Sequence, residues 1–144
     1  MTTPTVRRCS RVLTRMAFAL LLTLATASCA HVLNGYRVFY CVHQKKECVS
    51  PEHPASMSLD EAVSLMRTAG NEKDAFLGLV DSKNVTLQFY TRQPHRIWVE
   101  IPAPEKKGSF GALMTEEKAL TVIRNLSGDL ELQKAALGLR FEAW

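Results

Sequence analysis

The sequence predicts an α+β fold: an antiparallel sheet of three to four strands with two or three helices on one face, preceded by a disulfide-closed hairpin. Three observations predict it. Short runs of alternating apolar and polar residues are separated by polar turns too brief for anything but antiparallel neighbours. Two stretches repeat apolar residues at helical spacing behind residues that cap helix starts. Two cysteines, Cys41 and Cys48, flank a polar turn at the spacing of a cross-strand pair.

Of the 144 residues, positions 1–28 stand outside that fold. Arg7, Arg8, Arg11 and Arg15 precede an uninterrupted apolar run, Met16 to Ala27, and small residues follow. This is the layout of a secretory signal peptide. As a helix the run reaches only about 18 Å, short of the roughly 20 residues a bilayer crossing needs. Four of the 18 basic residues lie in this segment and none of the 14 acidic ones does. The chain from Cys29 onward is therefore balanced in charge, and the basic pI belongs to the precursor. A balanced chain lacks the electrostatic footprint of a nucleic-acid binder.

Two cleavage patterns overlap at the end of the signal. Ala25-Thr26-Ala27 fits an ordinary signal peptidase, which would free Ser28. Thr26-Ala27-Ser28-Cys29 resembles the lipobox of bacterial lipoproteins, in which the cysteine is lipidated and becomes the first residue. Thr26 departs from that pattern, where leucine is usual. The cysteine count favours the second reading. Lipidation of Cys29 and loss of Cys9 leave one pair, Cys41 and Cys48, whereas ordinary cleavage leaves an odd thiol in an exported protein. The resemblance implies a periplasm-facing envelope lipoprotein. Ala30, rather than Asp, directly after Cys29 implies the outer membrane. A soluble periplasmic or secreted protein is the alternative.

Residues 29–57 read as a membrane-proximal segment. Tyr36, Val38, Tyr40 and Val42 alternate with Arg37, Phe39 and Cys41, the period of a strand. His43 to Lys46 then turn the chain, placing Cys41 opposite Cys48 within reach of a disulfide. On a helix the two would lie about 10 Å apart along the axis. Closing this eight-residue ring contributes about 2.5 kcal/mol on the chain-entropy model. Cys41, His43, Cys48 and His53 are also residue types that suit zinc, but their spacing fits no common zinc motif, and no metal or cofactor is expected.

After the Pro-rich boundary Ser50 to Ser56, residues 58–144 form the main domain. Ser58 and Glu61 make a capping box. The helix behind them buries Ala62, Val63, Leu65, Met66 and Ala69 and stops at Gly70-Asn71. Runs at Ala75–Val80, Val85–Tyr90 and Arg96–Ile101, joined by DSKN and RQPH, predict a meander. Leu87, Phe89, Ile97 and Val99 are expected inside. Pro102 to Gly111 is expected to be an irregular connector. Thr115 caps a second helix with Glu116 and Glu117 at its positive end, Ser127-Gly128-Asp129 opens a short third helix, and the tail LRFEAW closes as a strand.

No catalytic motif emerges. The four histidines lie in no nucleophilic constellation, Ser109 lacks a nucleophile elbow, and Gly108 and Gly111 are too sparse for a phosphate cradle. The outward strand face instead carries aromatic, arginine and polar residues, the composition of protein–protein surfaces. Tyr90, Arg96, Trp98 and Glu100 on that face, and Phe110 in the Pro102–Gly111 stretch as part of a binding edge, are the candidate partner-binding residues. The block LQFY…IWVEIPAPEKKGSFGALMTEEKALTVI resembles small single-domain bacterial proteins of the immunity type, which bind a toxin. With an exported chain, the resemblance implies a toxin that acts in the envelope. The expectation is thus a non-enzymatic lipoprotein that binds a protein partner. A structural or assembly lipoprotein of the envelope is the alternative, and a small periplasmic enzyme or metal-binding protein the third reading.

Overall fold

The structure is a computed structural model that describes residues 32–144. Cys9, Cys29 and the signal segment lie outside the described residues. The elements in chain order are β1 (Val32–Val42), β2 (Glu47–Val49), β3 (Ala55–Ser58), α1 (Leu59–Ala69), β4 (Phe76–Val80), β5 (Thr86–Gln93) and β6 (Arg96–Ala103). They continue with β7 (Gly108–Thr115), α2 (Glu116–Asn125), α3 (Leu130–Gln133) and β8 (Arg140–Ala143). All strand pairs are antiparallel, in the order β2-β1-β4-β5-β6-β7-β8, with β3 also paired to β1.

Among the described residues eight strands stand where three to four were expected: β3 pairs with β1 in the Pro-rich stretch, and two further features account for the rest. The hairpin is not an appendage ahead of the domain: Arg37 to Cys41 pair with Val80 to Phe76, so β1 lies inside the sheet. Tyr36, Val38 and Val42 are buried in the common core. The stretch from Pro102 to Gly111 is not irregular either. It is the end of β6, a single 3-10 turn at Pro104–Lys106, left-handed Lys107 and the start of β7. Pro102 is tolerated because β5–β6 pairing ends at Gln88↔Glu100, leaving it paired with β7 alone.

The hairpin itself forms as its spacing predicts. Val42 pairs with Glu47, the four residues His43 to Lys46 make the turn, and Cys41 faces Cys48 in a disulfide. That bond removes the two thiolates on which the zinc alternative depended. The Glu72 carboxylate accepts from the His43 and Gln44 backbone N–H groups at 2.7 and 3.1 Å, fastening the turn to the loop after α1.

Both major helices begin where their caps dictate. Ser58 and Glu61 complete the reciprocal capping box, and Thr115 Oγ1 accepts from Lys118 N. Ala62, Leu65, Met66 and Ala69 of α1, and Ala119, Leu120, Val122 and Ile123 of α2, are buried in one cluster with Leu77, Leu79, Leu87, Phe89, Ile97 and Val99 of the strands. Gly70 ends α1 with φ −60°, so it is not there for a left-handed cap. A Cβ at that position would lie 2.9 Å from Glu116 Cδ at the start of α2. A side chain there would only displace the flexible Glu116 side chain.

The turn between β4 and β5 is organised by Asp81, a buried carboxylate. Its Oδ1 accepts from the N–H groups of Lys83 and Val85 at 2.8 and 2.9 Å, and its Oδ2 from Leu130 N at 3.1 Å. One side chain thus closes a turn and holds the start of α3. Asp81→Ala is expected to lower unfolding stability by about 3 kcal/mol, because buried donors to a charged acceptor lose their partner. Asp81→Asn, with one acceptor oxygen, is expected to fall between it and the parent in urea denaturation.

Candidate functional site

Along each strand, residues alternate between the core and a second face of the sheet. The registers arrange that second face in rows. One row runs Cys41, Phe76, Tyr90, Trp98, Leu113 across β1, β4, β5, β6 and β7. The next runs Phe39, Gly78, Gln88, Glu100, Gly111, Arg140. From Phe76 to Leu113 the first row is an apolar strip about 14 Å long at ordinary strand spacing. Phe76, Tyr90 and Trp98 are half-buried and Leu113 is 47% exposed.

The two glycines of the second row let large rings lie down. A Cβ on Gly78 would come within 2.0 Å of the Phe39 ring, and one on Gly111 within 2.3 Å of Trp98 Cζ2. Phe39 is consequently buried although it belongs to the second face. Trp98 is held flat across β7, and its indole N–H donates to Glu100 Oε2 at 2.8 Å. Ser109 Oγ donates to the same oxygen at 2.9 Å. The Phe39, Phe76 and Tyr90 rings follow one another at 6.1 and 6.2 Å in tilted contacts, geometry favoured by the ring quadrupoles. Tyr90 OH donates to Gln88 Oε1 at 2.5 Å.

Burial raises the Tyr90 phenol above its ordinary pKa, the Glu100 charge adds to the shift, and Arg92 opposes it. Arg92, Arg96 and Gln93 stand at the hairpin end of the strip, where they share with Trp98, Leu113 and Glu142 a concavity of about 380 Å³.

The structure thus brings together Tyr90, Arg96, Trp98 and Glu100 on one face. Phe110 is elsewhere: it pairs with Ile101 on the core side, meets Phe141 edge-on at 5.4 Å, and carries the ammonium groups of Lys106 and Lys134 at 5.1 and 4.3 Å from its ring centre. Trp144, the other tryptophan, is 74% exposed. Phe76, Leu113 and Arg92 are face residues that the sequence reading did not select. Phe76 was accessible from the alternation in AFLGLV; Leu113 was hidden because β7 was not recognised as a strand.

A histidine–carboxylate contact also exists. His95 Nδ1 lies 2.5 Å from Glu116 Oε2, with the histidine side chain 65% exposed. His95 has φ +60°, its N–H donates to Gly70 O at 2.9 Å, and its carbonyl accepts from Glu116 N at 3.1 Å. These contacts fasten the β5–β6 turn to the end of α1 and the start of α2. Among the described residues, no helix is long and apolar enough to cross a membrane, and no three His, Cys, Asp or Glu side chains gather as metal ligands.

Gly111→Ala is expected to lower stability by about 1–3 kcal/mol through overpacking and to lift the Trp98 ring, shifting its emission in a Trp144→Phe background. Raising the pH tests Tyr90. A phenol with a raised folded pKa contributes stability below its unfolded value, about 10, which is lost as the pH climbs through the folded pKa. Glu100→Gln is expected to move the Tyr90 tyrosinate absorbance midpoint down only in part, because burial is the larger cause.

Comparison with protein-family models, with curated proteins and with solved structures finds no match to this chain.

Proposed function

We propose that this protein is a non-enzymatic lipoprotein of the bacterial envelope, anchored through Cys29, whose sheet binds a protein partner on its second face. In this reading the helices lie together on the core side and leave that face to the partner. The observation that carries it is the strip Phe76–Tyr90–Trp98–Leu113, incompletely buried and flanked by Arg92, Arg96 and Glu100. Aromatic residues and arginine are the side chains that anchor protein interfaces, and a patch with charge at its rim has the anatomy of one.

Two properties suit Trp98 to an anchor. Its ring is oriented before any partner arrives, by Gly111 beneath it and Glu100 beside it, so little side-chain entropy is lost on association. Its row neighbours Tyr90 and Leu113 are uncharged, and Glu100 already accepts two hydrogen bonds, which limits desolvation on that side. The resemblance to immunity-type proteins names the class of partner: a toxin that acts on the periplasmic side of the envelope.

A photo-cross-linking amino acid at Tyr90 or Arg96 is expected to capture one partner that the same group at Thr121 on α2 does not. Trp98→Ala is expected to weaken that capture by about 2 kcal/mol or more with the fold intact by circular dichroism. Deletion is expected to sensitise cells only to toxin-bearing competitors. General detergent sensitivity instead would point to the assembly role, and a loss of capture at all positions except Thr121 would move the interface to the helices.

A further inference from the structure

The concavity at the end of the aromatic strip has an unbalanced lining. Arg92 and Arg96 are both exposed there, and neither forms an ion pair among the described residues. One carboxylate, Glu142, stands against the two guanidinium groups. An excess of positive charge therefore faces the space. Guanidinium groups are planar, permanently charged forks whose donors match a carboxylate in pairs.

The two arginines are also held in place by their backbone. They flank the Pro94-His95 turn, and that turn is tied at His95 N–H, at its carbonyl and at its ring to Gly70 and Glu116. Beside them Trp98 is fixed flat on Gly111, and Leu113 presents an exposed apolar surface. A positive fork adjoins a preset apolar floor. Placing charge and apolar surface side by side on a rigid support is how a site distinguishes an acidic side chain with an apolar neighbour from either alone.

We infer that this concavity anchors an aspartate or glutamate side chain of the partner protein. Arg92 and Arg96 hold the carboxylate, and an adjacent apolar side chain of the same partner segment lies on Trp98 and Leu113. The inference rests on the reading of the second face as a protein-binding surface, and it specifies what that surface selects. Glu142 competes for the same arginines and moderates the site.

Titration of the purified, nitrogen-labelled protein with short acetylated and amidated peptides tests this by nuclear magnetic resonance. A peptide carrying glutamate beside leucine is expected to move the Arg92 and Arg96 Nε–H signals and the Trp98 indole signal, with the Trp144 indole as a stationary reference. The matching glutamine–leucine peptide is expected to bind at least about tenfold more weakly, and added salt to narrow the gap. The Arg92→Gln/Arg96→Gln protein should lose the preference while the rest of its spectrum is unchanged, and Glu142→Gln should strengthen it. Equal response to the glutamine peptide, a preference that survives the double substitution, or binding only through a free peptide C-terminus each overturns the inference. Failure here with cross-linking at Tyr90 retained removes the carboxylate clamp but keeps the protein-binding face. Selective peptide binding without cross-linking does the reverse.

Discussion

The position of β1 constrains everything else in this fold. It is the first strand among the described residues, yet it lies inside the sheet, with β3 and β2 on one side and β4 on the other. Because β3 and β4 are both antiparallel to β1, they run parallel to each other with β1 between them. The chain from Ser58 to Phe76 must therefore cross over β1, and α1 is that crossing. Its buried face, Ala62, Leu65, Met66 and Ala69, packs into the cluster that contains Val38 and Val42. Remove the β1–β4 pairing and α1 loses the strand it crosses, keeping only its packing against α2 and the rest of the cluster.

That arrangement explains what the sequence conveyed and what it withheld. Period-two alternation sorted Leu87, Phe89, Ile97 and Val99 from Gln88, Tyr90, Trp98 and Glu100, because neighbouring strands joined by tight turns share one inside. Caps at Ser58 and Thr115 located both helices, since capping is a local matter of side-chain oxygen and backbone N–H. Partnership between β1 and β4 is not local. Nothing in either strand names the other across some forty residues, and the Pro-rich run at Ser50 to Ser56 reads as a domain boundary when it is a link inside the sheet.

Phe110 shows a different limit of the sequence. Two glycines in KKGSFGALM weaken a strand signal, and a reader expecting a loop has no parity to apply. Once β7 is paired to β6, Ile101↔Phe110 sends Phe110 to the core side, while Gly111 falls beneath Trp98. The glycine that obscured the strand is the residue that lets the tryptophan lie flat. Local propensity and tertiary packing were in conflict, and packing decided the strand.

The turn at Pro94-His95 has one more implication. It is bonded at once to the C-terminal end of α1 and the first residue of α2, while Arg92 and Arg96 around it line the concavity. Order at the two helix ends and order at the concavity therefore draw on one free-energy term. By thermodynamic reciprocity, whatever stiffened the turn would also reduce the fraying of both helix termini, and a change that loosened those termini would loosen the turn. The turn thus ties the order of two helix ends to the order of the strand ends that carry Arg92 and Arg96.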